Sequence, residues 1–452
     1  VIIDGGILDI IVRSGFVWSS GPSNREEFGH VGMPVISLFS GAMGLDLGLE
    51  EAGIRSSLAV EIDELCCSVM RYNRPDLDVW QTDINHLESQ SLLARLNNPK
   101  DVFLMVGGPP CQSFSSGGKR AGLSDPRGNL IYVYLKLINE VRPQYFVLEN
   151  VANIVTAALK HRPIAQRPGK KWNLSGYSEK KDRSDISVAS MEPEELSGSA
   201  IRQIISDVTA LGYHLSFSVV DSAEHGAAQH RYRFIMFGSR DSGAPVIPSA
   251  TNGDKSSREP PWKTVRDAIH NLRLNPGPHS EYSPRVARFF EMVPPGGNWS
   301  HLPKDLQLEA LGEASYAAGG GKTGFYRRLS WDLPSPTITG RANRKGSALC
   351  HPEAVRPLSV KECARIQGFP DDWTLLGSMN RQYMQVGNAV PVSLGKAIGR
   401  AVLAAATGST HPASQTSFDL DQALMDAVNK LRATARNKRP TKKDRDDEPT
   451  LF

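Results

Sequence analysis

One thiol and one carboxyl group stand out as side chains that the chain presents for chemistry. Cys111 follows Gly107-Gly108-Pro109-Pro110 and precedes Gln112-Ser113. That loop comes just after Val102 to Val106, a short apolar run that reads as a buried strand. A lone cysteine is more often a small core hydrophobe, but glycine and proline flank this one and no apolar periodicity covers it. The next apolar run, Tyr145 to Leu148, ends in Glu149-Asn150-Val151. A carboxylate at the end of a buried strand is costly unless it has a partner or a task.

A second set of residues suits a nucleotide-like ligand. The first strand pattern, Val35 to Phe39, runs into Phe39-Ser40-Gly41-Ala42-Met43-Gly44, and the second, Leu58 to Ile62, carries Glu61 twenty residues after Gly41. Glycines let a strand-to-helix turn approach a ligand closely, and an acid at the second strand's end can hold ribose hydroxyls. The glycines alone fit a tight turn without a ligand equally well. Asp83, after the third strand Asp78 to Gln81, would bring another polar group to the same crevice; it also suits a helix cap. Arg231 and Arg233 in Gln229-His230-Arg231-Tyr232-Arg233 alternate onto one side of a strand, which fits a solvated sheet face as well as a site.

Elements that would position these residues alternate between strand and helix patterns, so the expected fold class is α/β, a doubly wound, mostly parallel sheet. Helical periodicity appears at 200–211, at Ser359 to Gln367 and at Val392 to Ala406, and further strands at Leu215 to Val220 and Phe234 to Phe237. The chain has 452 residues, 40% hydrophobic and 22% charged, as expected of a soluble protein with more than one domain. No apolar run reaches the roughly eighteen residues a membrane span needs. Five scattered cysteines lack disulfide-framework or metal-ligand spacing and fit a reducing cytosol. The net charge is +4, and residues 430–452 account for all of it with eight bases against four acids. Nucleic acid, if bound, must meet a local basic cleft.

The expected organisation starts with an extension, 1–32, that lacks a secretory signal's features, with translation starting near Met33. An α/β domain follows at 33–243, interrupted by a polar insertion at 160–199. A smaller Pro/Gly-rich domain at 244–330 precedes a return to the first domain at 331–407. The tail, 408–452, reads as helical around Leu420 to Leu431, then basic and disordered.

Phe39 to Gly44, Pro110-Cys111-Gln112, Glu149-Asn150-Val151, Gln229 to Arg233, Arg356 to Trp373 and Gln385-Val386-Gly387-Asn388-Ala389-Val390-Pro391 resemble, in order, the motifs of DNA (cytosine-5)-methyltransferases of the bacterial restriction-modification type. The resemblance implies a Rossmann-like fold that uses S-adenosylmethionine, yields S-adenosylhomocysteine and needs no metal. It implies that Cys111 adds to cytosine C6 while Glu149 protonates or hydrogen-bonds N3, making C5 able to take the methyl group. Arg233 would hold the cytosine O2 and position Glu149, and Arg231 would contact the catalytic loop or a phosphate. For the cofactor, Phe39 would pack on the adenine beside the Gly41 and Gly44 turn, Glu61 would hold the ribose, and Asp83 and Ile84 would read the adenine edge. Pro110, Asn388 and Val390 would line the methionine end.

Residues 113–129 resemble the family's mobile catalytic loop, which closes over a cytosine flipped out of the duplex; Gln112, Ser115, Ser116, Lys119 and Arg127 would touch DNA. The domain at 244–330 takes the place of the target-recognition region, with Arg258, Lys263, Arg266, Arg285, Arg288, Trp262 and Trp299 as candidate anchors and readers. Double-stranded DNA is the implied partner of a monomer without an obligate protein partner, working in the bacterial cytoplasm at the nucleoid and protecting DNA from a cognate restriction enzyme. Met43 departs from the pattern, standing where the family usually has a second glycine of its Phe-x-Gly-x-Gly turn, so a slightly altered turn is expected. An RNA methyltransferase of the transfer-RNA-like branch would carry Cys-Phe-Thr, absent from this sequence. A nicotinamide dehydrogenase leaves Cys111 with Glu149 unexplained, and a silent DNA-binding scaffold would have lost a catalytic residue.

Overall fold

The computed structural model describes residues 34–110, 130–160, 192–241, 243–317, 324–341, 348–408 and 419–437. The expected extension at 1–32 lies outside them, as does most of the insertion. The apolar runs become β1 (Val35–Leu38), β2 (Leu58–Glu61), β3 (Asp78–Gln81), β4 (Leu104–Gly107), β5 (Tyr145–Val151), β6 (His214–Asp221) and β7 (Tyr232–Ser239). They make one seven-stranded sheet in the order β3-β2-β1-β4-β5-β7-β6. β1 to β5 run parallel, and β7 is antiparallel to both β5 and β6. This is the expected α/β, Rossmann-like architecture. Strand order reverses between β1 and β4, and the crevice beyond the strands' carboxyl ends there is where such sheets bind ligands.

Helices α1 (Gly44–Glu51), α2 (Glu64–Asn73), α3 (Ser89–Arg95), α4 (Leu130–Val141) and α5 (Ser199–Ala210) flank the sheet; α1 is buried on all sides from Gly44 to Leu49. On α4, Ile131, Tyr134, Leu137 and Ile138 are buried, the expected helical spacing. The Tyr134 hydroxyl lies 3.1 Å and 2.8 Å from the Met105 and Val147 carbonyl oxygens, locking the helix beneath β4 and β5.

Beyond β7 the chain becomes irregular. Short helices α6 (Val265–Ile269), α7 (Pro284–Met292), α8 (Lys304–Leu311) and α9 (Glu313–Ala317) precede two-residue strands β8 (Arg327–Arg328) and β9 (Leu349–Cys350), then α10 (Val360–Gln367) and α11 (Met379–Asn388). Residues on both sides of 330 share apolar cores. Val265 and Ile269 share a core with Leu329, Trp331, Ile338, Ile366 and Val386, and Phe289, Phe290 and Tyr326 share another with Ala348 and Cys350. The physical reason is that two-residue strands bury little by themselves, so residues on both sides of 330 must close over the same apolar surface.

The chain returns through α12 (Val392–Ala406), which meets α1 backbone to backbone. A Cβ at Gly48 would stand 2.2 Å from the Val392 carbonyl oxygen and 2.5 Å from Gly395 Cα, and one at Gly395 would stand 2.6 Å from the Leu45 carbonyl oxygen. Met379–Ala406 is apolar and long enough to pass for a membrane span, but it is two helices broken at Ala389–Pro391 and mostly packed inside the fold. The last helix, α13 (Leu420–Asn437), runs past the expected end at Leu431. It packs Leu424 and Ala427 into the sheet's core, and Lys430 bonds Glu224 at 2.9 Å.

Candidate active site

Five strand ends and two returning segments meet at the carboxyl edge of the sheet. β1 runs into a turn whose backbone is left-handed at Phe39 (φ 58), Gly41 (φ 53) and Met43 (φ 67). Phe39 and Met43 pay the strain of a conformation that favours glycine. The expected alteration at Met43 is therefore one of side chain: it keeps the glycine-like backbone and buries its thioether chain in a core with Ala42, Leu47 and Phe369. Gly44, next along, has no room for a side chain, since a Cβ would stand 2.2 Å from the Val390 carbonyl oxygen. That contact brings Ala389 and Val390 against the turn.

β2 delivers Glu61, whose Oε2 accepts from the Gly41 amide at 2.9 Å and whose Oε1 accepts from the Ile62 and Asp63 amides, each at 2.9 Å. A carboxylate can accept about four bonds, so one direction stays open for a ligand hydroxyl. Asp83, after β3, fulfils the capping alternative with one oxygen: Oδ1 accepts from the Asn85 amide at 2.9 Å. Its Oδ2 has no hydrogen-bond partner among the described residues. Cap and ligand roles are thus compatible.

β5 delivers Glu149, which is 8% exposed. Register places Val151 opposite Arg233 of β7, and Arg233 Nε lies 2.7 Å from Glu149 Oε1. Burial works against the Arg233 charge and lowers its pKa, while Glu149 opposes that shift. The other carboxylate oxygen, Oε2, sits 2.8 Å from the point where a Cβ on Gly108 would be. Only glycine leaves Glu149 that place over the loop leading to Cys111. Asn150 secures the same loop by donating from Nδ2 to the Pro109 carbonyl at 3.1 Å, a role its place in the sequence motif did not show.

Arg231 points to the cleft side with Arg233 but is only 3% exposed. It donates to the Ile338 carbonyl at 2.8 Å and the Gly387 carbonyl at 2.9 Å. These two bonds hold the returning segments in place, which makes Arg231 a tie between elements where the sequence suggested contact with a loop or phosphate. Burial, then the nearby Arg233 charge, drives its pKa down. Gln229 and Gln367 extend the tie: Gln229 Nε2 donates to Gln367 Oε1 at 2.7 Å, and Gln367 Nε2 donates to the Val386 carbonyl at 2.6 Å.

Phe39, Gly41, Gly44, Glu61, Asp83, Ile84, Pro110, Glu149, Arg231, Arg233, Asn388 and Val390 all line one cleft of about 1150 Å³. Sequence reading missed Asp63, Arg381, Thr339 and Met384, which line it too. Asp63 carried a signal as a cap at a strand-to-helix turn; Thr339 lies in an irregular run that carried none. Cys111, Gln112, Ser115, Ser116, Lys119 and Arg127 lie outside the described residues. Among the candidate anchors farther along, Arg266 pairs with Asp332 at 3.0 Å and Arg288 with Glu309 at 2.8 Å, so neither is a free cation.

A cleft of this size suits a nucleoside-bearing ligand. A Cβ on Gly41 would meet nothing within 4 Å, so the turn's face is open. Glu61 and Asp83 each keep an unused acceptor, and apolar Phe39, Ile84 and Val390 offer surface for a base or an alkyl chain.

Comparison with known proteins agrees with this arrangement. The family model for C-5 cytosine-specific DNA methylases matches residues 33–178 and 194–404. Type II methyltransferase M.Eco47II of Escherichia coli is 36% identical over 379 residues, covering 82% of this chain and 78% of its own. Type II methyltransferase M.Sau96I of Staphylococcus aureus is 33% identical over 372 residues, covering 82% and 75%. A crystal structure described as a DNA modification methyltransferase encoded within an E. coli prophage shares the fold, with a TM-score of 0.53 at 21% identity, covering 83% of this chain and 99% of its own.

Proposed function

Since the chain belongs to the C-5 cytosine-specific DNA methylase family and is a DNA (cytosine-5)-methyltransferase, we propose that it works through a covalent bond from Cys111 to cytosine C6, with S-adenosylmethionine as methyl donor. One observation carries this reading: Arg233 fixes one oxygen of Glu149 and leaves the other over Gly108, on the loop that leads to Cys111. Cytosine C5 is a poor nucleophile while the ring is aromatic. Attack by the Cys111 thiolate on C6, with a proton held at N3 by Glu149, breaks the aromaticity and puts electron density on C5. The donor, when bound, supplies the methyl group to that carbon. A base then takes the C5 proton, the electron pair re-forms the C5–C6 double bond, and the thiolate leaves.

Arg233 does two things in this scheme. It keeps Glu149 aimed through Nε, and since Nη1 donates to the Tyr232 carbonyl at 2.8 Å, Nη2 would be the group that binds the cytosine O2. Glu61 would take the donor's ribose, Asp83 and Ile84 its adenine edge, and Asn388 and Val390 its methionine end. The target base must leave the duplex to reach this recess. Residues 113–129, with Ser115, Ser116, Lys119 and Arg127, would close over it, and the region at 244–330 would read the flanking sequence. Relatives named as Type II methyltransferases support a role in protecting DNA from a cognate endonuclease.

Incubation with labelled S-adenosylmethionine and either duplex DNA or RNA tests the reading. Label should appear on C5 of cytosine in DNA and be lost with Cys111→Ala. Label on RNA alone, or undiminished label with that variant, would overturn it.

A further inference from the structure

The donor end of the cleft has two walls far apart in sequence. One is the end of β2 with the start of α2, and the other is α11, which ends at Asn388. Arg381, in the first turn of α11, pairs through Nη2 with Asp63 Oδ2, and both residues line the cleft. Asp63 also caps α2, its Oδ1 accepting from the Leu65 amide at 3.0 Å and the Cys66 amide at 3.1 Å. Its own amide donates to Glu61 Oε1 at 2.9 Å, and Glu61 Oε2 accepts from the Gly41 amide at 2.9 Å. A continuous run of polar contacts therefore leads from Arg381 to Glu61 and on to the glycine turn.

Resting on the methyl-transfer reading above, we propose that the Asp63–Arg381 ion pair is a positioning device that ties α11 to the end of β2 and aims Glu61 at the donor's ribose. Helix capping does not require the charge, because asparagine caps about as well as aspartate. The charge adds a modest favourable interaction with the α2 dipole, and its direct partner is Arg381. Burial disfavours the ionised Asp63, but the hydrogen bond and charge of Arg381, with the Cys66 and Leu65 amides, outweigh it and hold the carboxyl below its ordinary range. Both side chains are partly exposed, 31% for Asp63 and 41% for Arg381, so solvent limits the effect of the pair. A contact that helps ground state and transition state alike changes KM and leaves kcat in place.

The test uses the full chain without DNA and measures S-adenosylmethionine and S-adenosylhomocysteine affinities by calorimetry. Arg381→Met and Asp63→Asn should each weaken both ligands about fivefold, the scale of a partly exposed pair. The double variant should be no weaker than either single one, and Arg381→Lys should return to within about twofold of wild type. In turnover assays Arg381→Met should raise KM for the donor at unchanged kcat. Unchanged affinity in Arg381→Met, additive losses in the double variant, or kcat falling alongside affinity would each overturn the proposal. A wild-type chain that binds no donor would instead overturn the methyl-transfer reading.

Discussion

The sheet and the irregular region beyond β7 position their residues by different means. In the sheet, strand period and parallel register carry Phe39, Glu61, Asp83 and Glu149 to one edge, so the geometry of the chemistry follows from backbone pairing. In the irregular region the regular strands are two residues long, and side chains do the work of a ladder. Arg328 donates to the carbonyls of Pro352, Val293 and Glu353 at 3.2, 3.1 and 2.8 Å, and Glu362 holds Arg356 through both oxygens at 2.7 and 2.8 Å. Backbone pairing tolerates changes of side chain; side-chain ties do not. The contrast places fixed chemistry on the first scaffold, while the second can change its outward face only if its inner ties persist.

The largest expected effect lies at the sheet's edge. Glu149→Gln keeps a hydrogen-bonding group but cannot deliver the proton, and methyl transfer should fall at least about a hundredfold, the scale of losing a positioned acid, with DNA binding retained. Steady-state rates and a binding assay check this; near-normal turnover would reduce Glu149 to a structural partner of Arg233.

Acid should weaken the irregular region beyond β7. His351 is 1% exposed, and its Nδ1 accepts from the amides of Glu353 at 3.2 Å and Ala354 at 3.1 Å, which requires a neutral ring. Burial lowers its pKa to about 4, with Glu362 opposing the shift. The unfolded chain, with an ordinary histidine pKa near 6.5, binds the proton more readily than the folded one. Stability is therefore fully present above about pH 6.5 and falls as the pH drops toward 4, by up to roughly 3 kcal/mol at 1.36 kcal/mol per pH unit. Denaturant unfolding at pH 7.5 and pH 5 should show the loss, and His351→Asn should flatten it. An equal slope in that variant would assign the acid sensitivity elsewhere.

Met43→Gly sharpens the comparison from the other side. Relieving a left-handed methionine gains about 1 kcal/mol, but removing a buried methionine side chain costs about 2–5 kcal/mol. The variant should be destabilised by roughly 1–4 kcal/mol in thermal or denaturant melts, even though glycine suits the backbone. A stabilised variant would mean that strain outweighs packing at this turn.

The smallest effect concerns the tail, whose two parts differ. α13 buries Leu424 and Ala427 in the sheet's core, while the bases beyond Leu431 outnumber the acids there. Truncation after Leu431 should leave saturated turnover near normal, weaken DNA binding at low salt and flatten the dependence of log K on log salt. An unchanged slope would make those bases inert, and lost turnover would show that the removed part supports the core.

Much of this was legible in the sequence where period and burial agree. β3 and α12 have the bounds that alternation and 3.6-residue spacing give, and the acids at strand ends reach the expected crevice. Legibility fails where contacts join distant residues through single side chains or backbones. The touch of Gly48 on Gly395 shows only as two ordinary glycines. The carbonyls that Arg231 bonds at Ile338 and Gly387 have no sequence signature, so its tie between segments could not be told from a role toward DNA. The apolar cores shared across 330 have no sequence signature either, because proline and glycine mark an irregular chain without telling which residues bury the same surface.

The central claim, attack by Cys111 on cytosine C6, has a direct test. Duplex DNA with 5-fluorocytosine at the target position should trap the full chain in a covalent complex in the presence of S-adenosylmethionine, because fluorine cannot leave as the C5 proton does. The account predicts a denaturant-resistant protein–DNA band for wild type and none for Cys111→Ala; an adduct that persists in Cys111→Ala would contradict it.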